Sequence, residues 1–299
     1  MCASTHPDDL DEATEEFLSV RPQLFGIAYR VLGGSAAEAE DVVQETWLHW
    51  QKTDRAKIHE PAAFLTTVAT RLAISLAKSA RVRRESYVGP WLPEPVNTGQ
   101  DPHLGAERAE ALEVAVLLLL EKLSPTERTA YVLREAFAYP YGLIAKILET
   151  NEANARQLVS RGRRHLAAER KERVTPAAHR RLLEAFLSAA RKGDLPGLED
   201  VLTADVVSYT DGNGIRNCAR IPVVGRTHVS RYHVAFAPRF WPQADIRWVE
   251  ANGRPAVLVS FGEVAVALIS VDVSAEGIER IMWMMSPAKL SPYVASLSV

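Results

Sequence analysis

The sequence predicts a multidomain protein in which two all-α modules are followed by an α+β domain. Three observations lead there. Apolar residues recur at helical spacing to about residue 82 and again from Ala106 to Lys171, with a proline-containing break between them. A two-helix pattern with a basic outer face closes the second helical stretch. Beyond Thr175-Pro176 short helices give way to period-two and β-rich runs, the order expected of a separate α+β domain. The expected divisions are a helical module over 12–82, a linker over 83–105, a second helical module over 106–172 and an α+β domain over 175–299. A chain of 299 residues is long enough for several cores.

In the first module, Phe17, Val20, Leu24, Ile27 and Val31 follow helical spacing, and Gly33-Gly34 ends that helix. Ser35-Ala36-Ala37-Glu38 reads as a capping box opening a second helix to about Gln51. Ala39, Val42, Val43, Trp47 and Trp50 face inward on it, while Glu38, Asp41, Gln44, Glu45 and His49 do not. Pro61 takes the first position of a third helix. Phe64, Leu65, Val68, Leu72 and Leu76 line one face, and the helix runs into the basic residues Arg71, Lys78, Arg81, Arg83 and Arg84. Three helices with short loops make a bundle.

Gly89-Pro90-Trp91-Leu92-Pro93-Glu94-Pro95 and Asn97-Thr98-Gly99 then interrupt the pattern, since three prolines exclude a helix. Trp91 and Leu92 are odd in a plain spacer. They are expected to dock, with Pro93, Glu94 and Pro95, on the C-terminal domain.

Ala106 to Leu123 is helical again, and Ser124-Pro125-Thr126-Glu127 is a second capping box, starting a helix to Phe137. Leu143 to Leu148, a break at Glu149-Thr150-Asn151, and Glu152 to Leu166 form a helix-turn-helix with Asn151 as cap. Ala155, Leu158, Val159, Gly162 and Leu166 make the inner face. Outside fall Glu152, Asn154, Arg156, Gln157, Ser160, Arg161 and Arg164, residue types suited to base edges and phosphates in a major groove. The competing reading of this stretch alone is an amphipathic pair with a solvated basic face.

In the last domain, helices are expected over His179 to Lys192, stopped by Gly193, and over Pro196 to Leu202. Strand-like runs follow at 206–210, 246–250, 256–261, 264–273 and 278–285, with a helix from Val229 to Ala237 between strands. Asn252-Gly253 is a hairpin signal and Asp211-Gly212-Asn213-Gly214 another turn. The sheet is expected to be mainly antiparallel.

Composition is that of a soluble globular protein, 47% hydrophobic and 24% charged, with a net charge of −2. An electrostatic grip on nucleic acid must therefore be local. The two basic clusters, the one at 71–84 and a second of Arg156, Arg161, Arg163, Arg164, Arg170, Lys171 and Arg173, provide it, against an acidic tail of Asp8, Asp9, Asp11, Glu12, Glu15 and Glu16. Two cysteines, Cys2 and Cys218, the absence of a signal-peptide pattern and apolar runs too short for a bilayer point to the cytoplasm and to no membrane role. No His/Cys cluster has metal-ligand spacing, and neither metal nor cofactor is expected.

Three matches carry a resemblance. Asp41-Val42-Val43-Gln44-Glu45-Thr46-Trp47 resembles the polymerase-clamp-binding helix of bacterial sigma factors of the extracytoplasmic-function group. The third helix with its basic end is similar to the part that engages the −10 promoter element, and Ser124 to Ala168 resembles the domain that binds the −35 element. Arg83-Arg84-Glu85-Ser86-Tyr87 and Trp91-Leu92-Pro93-Glu94-Pro95 resemble the signature of members carrying a fused SnoaL-like domain, a cystatin-like cone. That family shows an Asp-Gly-Gly-Gly-Lys turn in the fused domain. Here Asp211-Gly212-Asn213-Gly214-Ile215-Arg216 has Ile215 at the Lys position. Ser286-Pro287-Ala288-Lys289-Leu290 is a loose version of the family's Asn-Pro-Asp-Lys-Leu element.

The resemblance implies a transcription initiation factor that performs no covalent chemistry. Its partners would be core RNA polymerase, through the β and β′ subunits, and promoter DNA. Asp41, Gln44 and Glu45 would meet the polymerase clamp, and Arg71, Lys78, Arg81, Arg83 and Arg84 would serve the −10 region. The recognition helix would read the −35 element, while Asp211, Gly212, Asn213 and Gly214 would form a regulatory turn. The C-terminal domain would modulate activity in place of a separate anti-sigma factor. The alternative is a regulator whose C-terminal domain is a receptor for an unidentified small ligand or a ketosteroid-isomerase-type enzyme. Asp205, Asp211, His228 and His233 are then candidate acid–base groups, and Trp241, Trp248 and Trp283 pocket walls.

Overall fold

The structure, a computed structural model, describes residues 7–85, 87–98, 114–167, 174–215 and 218–298, with side chains 7–10, 80–85 and 115 outside that description. The expected helical residues 106–113, Cys2, Arg170, Lys171, Arg173, Arg216, and the side chains of Arg81, Arg83 and Arg84 therefore lie outside the described residues. Contacts divide the chain into two compact units. One holds both helical modules; the other holds the linker and the C-terminal domain.

In the first unit, helix α1 spans Pro7–Val31. It starts earlier than the apolar pattern indicated and takes in the acidic tail, because Pro7 suits a first turn and acids near a helix N-terminus oppose the positive end of its dipole. Gly33 and Gly34 follow at φ 68° and 86° and end it as expected. Helix α2 spans Ala36–Lys52, with the Ser35 hydroxyl accepting the Glu38 N–H. Ala39, Val42, Val43, Thr46 and Trp50 are buried on it. Trp47 is half-buried and stacks obliquely on Phe17 at 5.0 Å. The Trp50 indole donates to the Ala13 carbonyl at 3.1 Å, so its polar edge is satisfied inside the bundle.

Helix α3 spans Pro61–Glu85. Its covered line is Leu65, Ala69, Ala73 and Ala77, with Thr66 and Thr70 beside it. The larger Phe64, Val68, Leu72 and Leu76 are only half-buried. Side-chain size misled the sequence expectation here, and the four-residue spacing of the alanines marks the true inner line.

Helix α4 spans Val114–Leu120, and α5 spans Pro125–Tyr131 behind the complete Ser124–Glu127 capping box. The next five residues, Val132–Ala136, wind as a π-helix rather than continuing the α-helix to Phe137. Helix α6 (Tyr141–Ile147) and helix α7 (Glu152–Ala167) form the helix-turn-helix.

The two helical modules pack as one unit through named contacts. Arg128, 7% exposed, donates to the Val31 carbonyl at 3.0 Å and so caps the end of α1. Burial lowers its pKa to about 10, which leaves it charged at neutral pH. The Tyr139 hydroxyl meets Gln23 and Thr66.

In the second unit, α8 (Pro176–Lys192) ends on Gly193 at φ 68°, followed by α9 (Leu195–Val201). The strands are β1 (Leu202–Asp211), β2 (Val223–Val224), β3 (Asp245–Ala251), β4 (Arg254–Phe261), β5 (Val264–Ser274) and β6 (Gly277–Met284). Helix α10 (Arg226–Phe240) precedes β3, and α11 (Pro287–Ser296) ends the described chain. Sheet order is β2-β1-β6-β5-β4-β3. Most pairs are antiparallel as expected, but β1 and β6 run parallel, so the sheet is mixed. The Asn252-Gly253 turn has φ 55° and 74° at its two central residues, the type I′ geometry that joins β3 to β4.

Strand alternation gives the sheet two faces. Ile269, Ile281 and Trp283 turn toward Leu183, Phe186 and Leu187 of α8 and Val229 and Phe240 of α10, forming the core. Leu268, Met282 and Met284 point the other way and are also buried. Their cover is the linker: Leu92, Pro93 and Pro95 line the same small cavity as those three side chains.

Candidate nucleic-acid interface and a buried linker clamp

Helix α7 has the two faces that its sequence pattern gives. Ala155, Leu158, Val159, Gly162 and Leu166 are buried. Gly162 is needed for packing, since a Cβ there would lie 3.1 Å from two side-chain carbons of Tyr131. Asn151 Oδ1 accepts the Asn154 N–H at 2.9 Å, the expected cap. Glu152, Asn154, Arg156, Gln157, Ser160, Arg161 and Arg164 are all exposed.

Four of them are already oriented by neighbours. Arg156 pairs with Glu152 at 3.0 Å and lies 4.4 Å over the Tyr141 ring. Arg161 approaches Glu127 at 3.9 Å, and Asn154 donates to the Thr150 hydroxyl at 2.8 Å. Exposed pairs of this kind are weak and exchange readily for phosphate or base contacts. They fix rotamers without consuming the donors. Arg163, in the same cluster, pairs instead with Glu135 at 2.8 Å, toward the scaffold.

Asp41, Gln44 and Glu45 project from α2 into solvent. Glu45 has an exposed partner in His49 at 3.7 Å. On α3, Lys78 is exposed. Arg71 is exposed too, but its guanidinium is engaged within the unit: it donates to the Ile147 and Lys146 carbonyls at 3.2 and 3.0 Å and pairs with Glu149 at 3.2 Å. Those carbonyls end α6, where a cation is favoured by the helix dipole.

The second unit holds a feature that sequence inspection did not assemble. Asp211, 0% exposed, ends β1. Its Oδ2 accepts the Leu92 backbone N–H at 2.8 Å and the Lys289 ammonium at 2.7 Å, and its Oδ1 accepts the Tyr87 hydroxyl at 2.5 Å. Lys289 also donates to the Leu92 carbonyl at 2.6 Å, with the Trp91 ring 4.0 Å and the Tyr87 ring 5.0 Å away. Burial, and secondly the Asp211 carboxylate, push the Tyr87 phenol well above its ordinary range, so it stays a donor. Further along, the linker exchanges backbone hydrogen bonds with the Asn252 turn. The Asn252 N–H donates to the Val96 carbonyl at 2.9 Å, and Asn252 Oδ1 accepts the Val96 N–H at 3.3 Å. Thr98 donates to Glu250 at 2.7 Å.

Of the turn residues, Asp211 and Gly212 are buried, while Asn213 and Gly214 are exposed at φ 45° and 84°. Ile215, at the family's Lys position, is exposed. The cation that meets Asp211 is Lys289 on α11.

The acid–base candidates are not brought together. Asp205 and His228 are exposed, and Asp211 is tied to Lys289. His233 is buried, stacked on Trp283 at 5.6 Å. Burial drives its pKa down to about 3, keeping it neutral. Trp283 is a core residue, and Trp241 belongs to the same core while also lining a cavity of about 440 Å³ with Val234, Ala237 and Pro238. Trp248 is half-buried under Arg180 at 4.4 Å. Among the described residues no group of three or more His, Cys, Asp or Glu could hold a metal, and no helix is long and apolar enough to cross a membrane.

A helix-turn-helix packed with a second helical bundle, its outer face rich in exposed Arg, Asn and Gln, is the arrangement of a DNA-binding protein. Comparison with known families makes this specific. Residues 17–83 match Sigma-70 region 2 and residues 113–166 match Sigma-70, region 4. The chain belongs to the extracytoplasmic-function (ECF) RNA polymerase sigma factors. It is 40% identical over 238 residues to the ECF RNA polymerase sigma factor SigJ of Mycobacterium tuberculosis, covering 76% of this chain and 74% of that protein. To the probable ECF RNA polymerase sigma factor SigI of the same species it is 29% identical over 293 residues, 96% of this chain and 98% of that one. The crystal structure of M. tuberculosis SigJ superposes with a TM-score of 0.74 at 31% identity, over 93% of this chain and 98% of that one. The helical modules followed by a helix-plus-mixed-sheet domain are thus a shared plan, with a SnoaL-like C-terminal domain. Sigma factors bind core RNA polymerase and promoter DNA, and they are not enzymes.

Proposed function

We propose that this sigma factor is governed by its own C-terminal domain, acting through the docked linker in place of a separate anti-sigma protein. The observation that carries this reading is the Asp211–Lys289 pair closed over the Leu92 peptide. A linker joining two promoter-binding modules loses its freedom when its backbone is hydrogen-bonded into a domain. The entropy of that stiff, proline-rich segment is small, so docking costs little.

In this reading Asp41, Gln44 and Glu45 contact the polymerase clamp. Arg71, Lys78, Arg81, Arg83 and Arg84 serve the −10 region, and the exposed face of α7 reads the −35 element. Arg71 has a second duty, holding the two modules together before polymerase binds. The functional divisions are 12–82, 83–105, 106–172 and 175–299, and the protein works with polymerase in the cytoplasm. The C-terminal domain regulates rather than catalyses in this reading, because Asp211 is paired with Lys289 and burial keeps His233 neutral. Mapping 5′ ends of transcripts made by core polymerase with the full chain, and with a chain lacking 175–299, tests this. Start sites that depend on the protein and change in strength on truncation support it; identical strength with both chains overturns it.

A further inference from the structure

Helix α11 presents Pro287, Leu290, Ser291, Val294 and Ala295 along one stripe, at spacings of three and four residues. Such a stripe ordinarily packs on a core. This one instead walls a cavity of about 1020 Å³, whose other walls are one face of α10 and the β4–β5 hairpin. That is the size of a small-molecule site, about 300–1,000 Å³. Phe236 and Phe240 of α10 and Phe261 of β4 supply aromatic walls, and Val264 at the hairpin is 66% exposed. Among the lining residues the single charged side chain is Arg239, and none is acidic. Arg239 is exposed and lies one helical turn from Ala235 and Phe236, on their face. The Ser291 hydroxyl is spent on the Pro287 carbonyl at 2.8 Å and the Tyr232 phenol on Thr210 and the Ala219 backbone, which leaves the guanidinium as the charged handle.

We infer that this cavity binds a small amphiphilic carboxylate, its hydrocarbon body against the aromatic and α11 walls and its carboxylate on Arg239. An apolar cavity rimmed by one unpaired cation favours an anion with a hydrophobic tail over a neutral or cationic one of the same length. The site is distinct from the buried cluster of His233 and Trp283, and it stands whether or not the docked linker governs initiation.

Titration of the full chain with decanoate, decanol and decyltrimethylammonium, each below its aggregation threshold, tests the assignment. Decanoate is expected to bind at one site, about tenfold or more tighter than decyltrimethylammonium. Arg239→Gln is expected to weaken decanoate about tenfold while leaving decanol unchanged. Ala235→Trp, at an exposed position that tolerates a large side chain, is expected to fill the cavity and abolish binding of both. Bound decanoate is also expected to slow alkylation of Cys218, which lines the same cavity. Circular dichroism establishes that both variants fold. No binding of decanoate, equal binding of anion and cation, or binding that survives Ala235→Trp overturns the inference. So does a reversible dimer that Ala235→Trp dissolves, since a second copy would then occupy the groove.

Discussion

The Lys289 ammonium lies 2.7 Å from Asp211 Oδ2, with the two side chains 7% and 0% exposed. Removing one member of a buried pair leaves the other charge uncompensated, at about 3–5 kcal/mol. Lys289→Met is therefore expected to destabilise the C-terminal domain by that amount in urea unfolding and to expose 87–98 to protease. Asp211→Leu with Lys289→Met is expected to recover only part of the loss, because the Leu92 N–H and Tyr87 hydroxyl stay unpaired. Full recovery would mean that the carboxylate serves the lysine alone.

Acid is expected to weaken the C-terminal domain through its buried histidines. His233 is held down to about 3 by burial, whereas an unfolded histidine titrates near about 6.5. Its folded-state pKa is depressed, so the unfolded chain takes up the proton first. The contribution is complete above the unfolded value and declines as pH falls below it, by about 2 kcal/mol at pH 5. Burial shifts His179 in the same direction. His233→Phe keeps rings against Phe186 and Trp283 and is expected to flatten the profile between pH 7 and pH 5 in thermal melts. An unchanged slope would assign the acid sensitivity elsewhere.

On the recognition helix, Arg156→Ala and Arg161→Ala are expected to cost about 1–3 kcal/mol at −35 sites wherever the arginine grips a base edge at two points. Arg164→Ala, as a phosphate contact, is expected to lower affinity evenly across sequences and flatten the salt dependence. Holoenzyme binding to −35 variants over a salt series separates the two. Uniform loss for all three would make the whole face a phosphate grip.

Charge reversal at Asp41 or Glu45 is expected to weaken core-polymerase binding without altering the fold, since both side chains are exposed on α2 while its Val42, Val43 and Trp50 stay buried. A pull-down with purified core checks this, and unchanged retention would make the face merely solvated.

Much of the fold was legible because local periodicity encodes it. The five inner residues of α7, the Ser124–Glu127 box and the Asn252-Gly253 hairpin are all short-range patterns. Pairings between distant residues leave no such trace. Nothing local announces that β1 lies parallel to β6, or that Lys289 crosses 78 residues to Asp211. Lys289 stood in the Ser286–Leu290 element with nothing in sequence to link it to Asp211, which it reaches from α11. That helix was itself missed as a helix, with Pro287 and Pro292 breaking its pattern. Trp283 looked like a pocket wall because composition cannot distinguish an aromatic core from an aromatic cavity, whereas Trp241 does line one.

In the proposed function the docked linker sets activity. Run-off transcription from one fixed promoter by saturating core polymerase, comparing the intact protein with Lys289→Met, tests it most directly. A several-fold change in transcript yield is expected, with core binding unaltered. Equal yield from both, with the linker shown by proteolysis to be released in the variant, would contradict it.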